Sequence, residues 1–192
     1  MQRLLFTFPL LAFAATPALA HIGADHTQSF ASGFGHPLGG LDHILAMVTV
    51  GLWSALAGGR ALWAWPAAFV GTMIAGFVAA SAGLTVPFDE PAILTSSIVL
   101  GILVMLAIRA PVWNGVLIVG AFAFFHGHAH GTEAAGASLI SYAAGFVLAT
   151  LLLHLGGIAL GLSTEGRFGQ LALRGAGAAA YVGGVALAAG LL

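Results

Sequence analysis

The chain has 192 residues, of which 60% are hydrophobic and 6% are charged, and its formal net charge is −1. A water-soluble domain carries roughly 25% charged residues, because its surface faces water. So few charges exclude a globular domain of this length with a fully hydrated surface. The long apolar stretches indicate instead that lipid covers most of the surface.

The residue types that are missing exclude several kinds of chemistry. There is no cysteine, which excludes disulfide bonds, thiolate nucleophiles, iron–sulfur clusters and cysteine-ligated zinc sites. There is no lysine either, so the chain lacks the phosphate-binding lysine of a P-loop and ATP is not an expected partner. A net charge close to zero gives no indication of nucleic-acid binding.

The first twenty residues have the features of a secretory signal peptide. Arg3 supplies the positive start, residues 4–13 form the apolar stretch, and Ala18-Leu19-Ala20 has the pattern of a cleavage site. We therefore expect the mature chain to begin at His21 on the extracytoplasmic side of the membrane. An uncleaved first helix is the alternative, and it places His21 on the same side.

After a short periplasmic segment that contains histidines, residues 21–37, six apolar segments follow. Each is long enough to span ~30 Å of hydrocarbon at ~1.5 Å per helical residue. The expected fold is an all-α, polytopic membrane bundle of six transmembrane helices in one domain, residues 21–192. The segments are residues 38–57, 62–84, 92–108, 112–130, 137–162 and 171–191.

The positions of the arginines predict the orientation of this bundle. The expected mature chain has four, and they fall between segments 1 and 2, 3 and 4, and 5 and 6: Arg60, Arg109, Arg167 and Arg174. In a six-helix serpentine these connections share one side, which the positive-inside rule makes cytoplasmic. Both ends of the mature chain then face outward, in agreement with a cleaved signal peptide.

Two motifs contain most of the residues that can carry chemistry. The first, GHPLGGLDH from Gly35 to His43, opens segment 1, and the second, FFHGHAHGTE from Phe124 to Glu133, closes segment 4. Segment 1 runs inward and segment 4 runs outward. Both motifs are therefore expected at the outer face of the membrane, although they lie far apart in the sequence.

The spacing within the second motif is typical of a metal site. His126 and His130 are four residues apart, so both imidazoles project from one face of a helix and can hold one ion. Glu133 lies on the same face if the helix continues past Gly131, whereas His128 points away from that face.

The first motif contributes His36, Asp42 and His43. His36 and His43 are seven residues apart, or roughly 10 Å along a helix, which is long for two ligands of one ion. Proline favours the first helical position, so we expect the helix to start at Pro37 and His36 to fold back toward Asp42 or His43. Asp42 can ligate an ion directly or orient a histidine by accepting its hydrogen bond.

Five further residues are candidates of second rank. His154, inside a predicted membrane segment, is either a relay for the metal ion or an ordinary packed residue. Glu90 either attracts cations at the outer face or is an ordinary hydrated acid in a loop. The amino-terminal histidines are able to capture metal ions, but such histidines bind several metals alike. The second-rank set is His21, His26, Glu90, His128 and His154.

The donors of both motifs are imidazole nitrogens and carboxylate oxygens, without sulfur. Such a site suits divalent nickel, zinc, copper, cobalt or iron and disfavours Cu(I). The order of intrinsic affinities does not choose among these ions.

Together, His36-x5-Asp42-His43 and the motif from Phe125 to Glu133 resemble the signatures of the HupE/UreJ family of nickel and cobalt permeases. The resemblance covers the whole chain. It implies a protein of the bacterial inner membrane that supplies nickel for hydrogenase or urease maturation, with the hydrogenase branch favoured. Nickel is then the transported ion, with cobalt or zinc as alternatives, and no organic cofactor is implied. The functional set that the resemblance implies is His36, Asp42, His43, His126, His130 and Glu133.

Two hypotheses about function compete with the permease hypothesis. One is an intramembrane metal-dependent hydrolase, in which histidines hold zinc and Glu133 or Asp42 acts as general base. The other is a periplasm-facing metal sensor or chaperone that carries no flux. Beyond the lipid bilayer and the metal ion, the sequence leaves open whether the partners include a second copy of the chain or a metal-delivery protein.

Overall fold

The computed structural model describes residues 29–134, 138–164 and 166–192, without the side chain of Glu133. Within these ranges the chain forms seven α-helices and no β-strand. The predicted signal peptide, His21 and His26 lie outside the described residues. The helices are α1 (Phe30–Gly39), α2 (Leu41–Ala57), α3 (Ala61–Ser81), α4 (Asp89–Met105), α5 (Val112–Glu133), α6 (Leu139–Leu162) and α7 (Gly166–Ala188).

The lengths and composition of these helices fit a multi-pass membrane protein. Helices α3, α5, α6 and α7 are long and apolar enough to cross a bilayer, and α1 and α2, which meet at 83°, add a fifth crossing if they form one broken span. Helix α4 has 17 residues, or about 26 Å, which is slightly less than the ~30 Å hydrocarbon core. The all-helical membrane fold is confirmed, whereas the six crossings stay a prediction.

The prediction that the first helix starts at Pro37 is wrong. Helix α1 begins seven residues earlier, because Ser29 and Ser32 form a capping box. The Ser29 hydroxyl accepts a hydrogen bond from the Ser32 N–H at 3.1 Å, and the Ser32 hydroxyl accepts one from the Ser29 N–H at 3.0 Å. Pro37 lies inside α1, and the chain turns at Gly40 before α2 begins. His36 therefore belongs to a helix of its own.

Small residues bring the helices into close contact. Gly51 of α2 lies against Gly157 of α6, and one turn further Ala55 faces Gly161. These two helices therefore run in the same direction, and the predicted small-residue motif of α6 is used for packing inside the bundle. Helices α3 and α5 are likewise parallel, whereas α4 and α7 are antiparallel, as expected for consecutive helices that alternate in direction.

Helix α5 continues through Gly131 to Glu133. Gly127 and Gly131 lie directly against the backbone of α3 at Met73 and Phe77, so glycine at these positions permits close helix packing and does not break the helix. The histidines of the second motif are therefore held on a continuous helix.

The end of the bundle opposite the histidine motifs is fixed by two tryptophans. The rings of Trp53 and Trp65 have centroids 4.2 Å apart. Their Nε1–H groups donate hydrogen bonds to the carbonyl oxygens of Ile108 and Val112 at 2.8 and 2.9 Å. The connection between α4 and α5, which carries Arg109, is thereby held against α2 and α3.

Candidate metal-binding site

Three histidines from three helices converge at one end of the bundle. His36 of α1, His43 of α2 and His130 of α5 each offer a ring nitrogen, and these three atoms lie within 4.8 Å of one another. The Nε2 atoms of His43 and His130 are 2.6 Å apart, and the ring centroids of His36 and His130 are 4.4 Å apart. His43 and His130 are buried, and His36 is half-buried. We call these residues the three-histidine group.

This geometry suits a divalent cation. At 2.6 Å the two Nε2 atoms of His43 and His130 form a donor–acceptor pair that shares one proton. An ion can take the place of that proton. Imidazole nitrogens bind ions such as zinc at about 2.0–2.1 Å, which places two adjacent ligands roughly 3 Å apart. A small separation of the rings is therefore enough to admit an ion.

Asp42 contacts the Nδ1 side of the His43 ring, whereas His130 contacts its Nε2 side. Its Oδ1 is 2.9 Å from His43 Nδ1, on the side of the imidazole that faces away from His130 Nε2. The contact lacks hydrogen-bond geometry, but a carboxylate beside Nδ1 favours the ring orientation in which Nε2 faces the other histidines. The backbone carbonyl of Asp42 accepts a hydrogen bond from the Ser97 hydroxyl at 3.1 Å, which ties the start of α2 to α4.

His126 lies next to the three-histidine group but is not part of it. Its ring centroid is 5.1 Å from that of His43, and its Nε2 is 3.1 Å from the Ser96 hydroxyl. Its Nδ1 is buried and has no hydrogen-bond partner among the described residues. The structure thus places His130 in the group and His126 beside it, one helical turn earlier in α5.

His128 has contacts of a different kind. It is buried, its Nδ1 is 2.7 Å from Asp89 Oδ2, and its Nε2 is 2.8 Å from the carbonyl oxygen of Leu84. Both ring nitrogens are thereby occupied, and the ring ties α5 to the connection between α3 and α4. This agrees with the prediction that His128 points away from the face of His126 and His130.

The remaining candidates on the described helices are Glu90, Glu133 and His154. Glu133 ends α5, but its side chain lies outside the described residues. Glu90 is exposed in the first turn of α4. His154 is fully buried, and its ring centroid is 4.9 Å from that of Phe69, which in turn lies 5.4 Å from the ring of His126.

Several residues near the site were not singled out from the sequence. Ser96 and Ser97 are fully buried, and their position within an apolar segment is a detectable indication of a buried polar contact. Phe146, whose ring lies 4.3 Å from His130, and Phe69 carry no such indication, because aromatic residues are common throughout the apolar segments.

Comparisons with known proteins identify the family to which the chain is similar. The family model described as HupE / UreJ protein matches residues 9–187. The chain is 42% identical over 182 residues to Protein HupE of Rhizobium leguminosarum bv. viciae, an alignment that covers 94% of this chain and 95% of that protein. No solved structure matches the chain.

Proposed function

Because the chain belongs to the HupE/UreJ family of hydrogenase and urease accessory nickel/cobalt permeases, which are membrane proteins and not enzymes, we propose that it carries nickel ions inward across the bacterial inner membrane. Cobalt is the second ion associated with this family of permeases. The hydrogenase branch is favoured, since the relative aligned over most of both chains is a HupE protein.

The observation that carries this proposal is the three-histidine group. Its nitrogens come from α1, α2 and α5 and lie within 4.8 Å of one another. Nitrogen donors without sulfur suit borderline divalent ions, nickel and cobalt among them, and the family narrows the choice to these two. Asp42 orients His43, and His126, Glu90 and Glu133 complete the proposed set of residues along the entry.

We further propose that the site faces the periplasm. In this topology residues 1–20 are removed as a signal peptide, α1 and α2 form one broken crossing, and α3 to α7 supply five more. Arg109 and Arg174 line a shared pocket with Leu56, at the end of α2 remote from His43. The positive-inside rule makes that end cytoplasmic, so the three-histidine group lies at the outer end.

The energetics of this route are reasonable. A divalent ion that leaves water loses its hydration, and neutral imidazoles with an adjacent carboxylate offset that cost by direct coordination. Two charges that move inward through ~100 mV gain about 4.6 kcal/mol, which corresponds to roughly a thousandfold accumulation at equilibrium. Transport in this direction therefore needs no ATP.

Nickel flux into proteoliposomes tests the proposal. Purified protein is reconstituted with a metal-sensitive dye inside the vesicles, and an inside-negative potential is applied. We expect wild-type vesicles to take up Ni²⁺, and His43→Asn and His130→Asn to lower the initial rate at least tenfold at equal protein incorporation. Wild-type vesicles that bind nickel but stay as impermeable as protein-free vesicles would favour the metal sensor or chaperone and overturn the permease.

A further inference from the structure

His154 is a buried imidazole whose ring nitrogens are unpaired. It is 0% exposed, and neither Nδ1 nor Nε2 has a hydrogen-bond partner among the described residues. A neutral imidazole has one donor and one acceptor nitrogen, and burying such groups unpaired is unfavourable. Leucine would fill a similar volume without this cost, so packing alone does not account for a histidine here.

His154 lies on the inward side of the three-histidine group. Helices α2 and α6 are parallel, and Gly51 lies against Gly157. By this register His154 is level with residue 48, five residues or roughly 7–8 Å further into the bundle than His43. His154 therefore lies in α6 at the level of the middle of α2. Ionisable side chains are rare at such a depth and usually line a pathway.

One aromatic ring separates His154 from the outer histidines. The Phe69 ring contacts both His154 and His126, with centroids 5.4 Å from His126 and 4.9 Å from His154. The three rings thus form a continuous row from α5 through α3 to α6.

We propose that His154 is an inner ligand of the transport path, and that it receives a borderline divalent cation from the outer histidines. This inference rests on the proposed function, since it assigns the step that follows entry. A nitrogen donor in the middle of the bundle divides the passage through the hydrocarbon region into two shorter transfers. Each transfer then exchanges one imidazole for another and avoids leaving the ion without ligands.

The test compares two isosteric substitutions in α6. In His154→Leu the unpaired nitrogens are removed, and in the matched control Thr150→Val a buried hydroxyl one turn away is removed. We expect His154→Leu to keep the wild-type melting temperature or exceed it, and to bind Ni²⁺ in detergent with a Kd within threefold of wild type. Its Ni²⁺ uptake into proteoliposomes is expected to fall at least tenfold, whereas Thr150→Val stays within twofold of wild type.

The outcomes separate this inference from the proposed function. Wild-type vesicles without uptake would contradict the permease itself. Uptake by wild type together with an unchanged rate in His154→Leu, or a tenfold weaker Kd in that variant, would overturn the inner ligand and leave the permease standing. If His154→Leu does not reconstitute, His154→Gln is judged by the same rate and Kd criteria.

Discussion

His43 contacts a charged group and a second imidazole through its two ring nitrogens. Its Nδ1 is 2.9 Å from the Asp42 carboxylate and its Nε2 is 2.6 Å from the Nε2 of His130. The carboxylate and the partner imidazole lie on opposite sides of one ring. His43 therefore connects the Asp42 carboxylate to the other imidazoles of the three-histidine group.

His128 offers a contrast, because its contacts suggest a structural role. We predict that His128→Asn lowers the free energy of unfolding by about 1–3 kcal/mol, since the shorter side chain loses contact with Asp89 and with the carbonyl of Leu84. The Ni²⁺ Kd should stay within threefold of wild type. Thermal unfolding and calorimetric titration measure the two quantities. A tenfold weaker Kd at unchanged stability would instead make His128 a metal ligand.

The sequence predicts some of these residues and not others for a physical reason. Histidines and carboxylates are scarce in an apolar chain, so residue type marks His36, Asp42, His43 and His130 as candidates, and the family resemblance groups them into one set. The neighbours of these residues depend on how each helix is rotated about its axis. That rotation is set by tertiary packing, so the contact of His126 with Ser96 is visible only in the structure.

Among the elements, the turn between α1 and α2 matters most for the site. Gly40 has φ −100° and ψ 119°, which other residues also adopt, so its role is steric and not conformational. A Cβ atom at Gly40 would lie 2.6 Å from Asp42 Oδ1 and 2.9 Å from His43 Nδ1. The absence of a side chain thus leaves room for the Asp42–His43 contact.

We predict that Gly40→Ala weakens Ni²⁺ binding at least tenfold, because the added methyl group displaces the Asp42–His43 pair. Gly39→Ala is the matched control, since a Cβ there has no neighbour within 4 Å, and its Kd should stay within threefold of wild type. Calorimetric titration of both purified variants measures the difference. Equal affinities for the two variants would show that the turn does not control the site.

The apolar pattern of the sequence predicts where some of the helices begin and end. The expected segment 137–162 closely matches α6, Leu139–Leu162, because apolar length sets where a membrane helix begins and ends. Helix α1 differs from the predicted start at Pro37, because Ser29 and Ser32 form a capping box that starts the helix seven residues earlier.

For the whole molecule, the number of crossings follows from the side on which each connection lies. The chain has no cysteine, so single-cysteine variants report on one position each. We predict that Thr85→Cys, between α3 and α4, reacts with a membrane-impermeant maleimide from outside intact cells. Ser163→Cys, at the end of α6, should react only after permeabilisation.

This labelling experiment also tests the role of α4. If the 17 residues of α4 do not cross the membrane, the direction of every later helix is reversed. Thr85→Cys and Ser163→Cys would then react from the same side. That result would contradict both the six-crossing topology and the parallel arrangement of α3 and α5 in the bundle.

The most direct test of the shared metal site is X-ray absorption at the nickel edge of the purified, nickel-loaded protein. We predict nitrogen and oxygen ligands only, at about 2.0–2.1 Å, with scattering from the imidazoles of the three-histidine group. His36→Ala, His43→Ala and His130→Ala should each lose one imidazole from the spectrum. If all three variants keep the full wild-type imidazole count, the ion binds elsewhere and the three-histidine group is not the metal site.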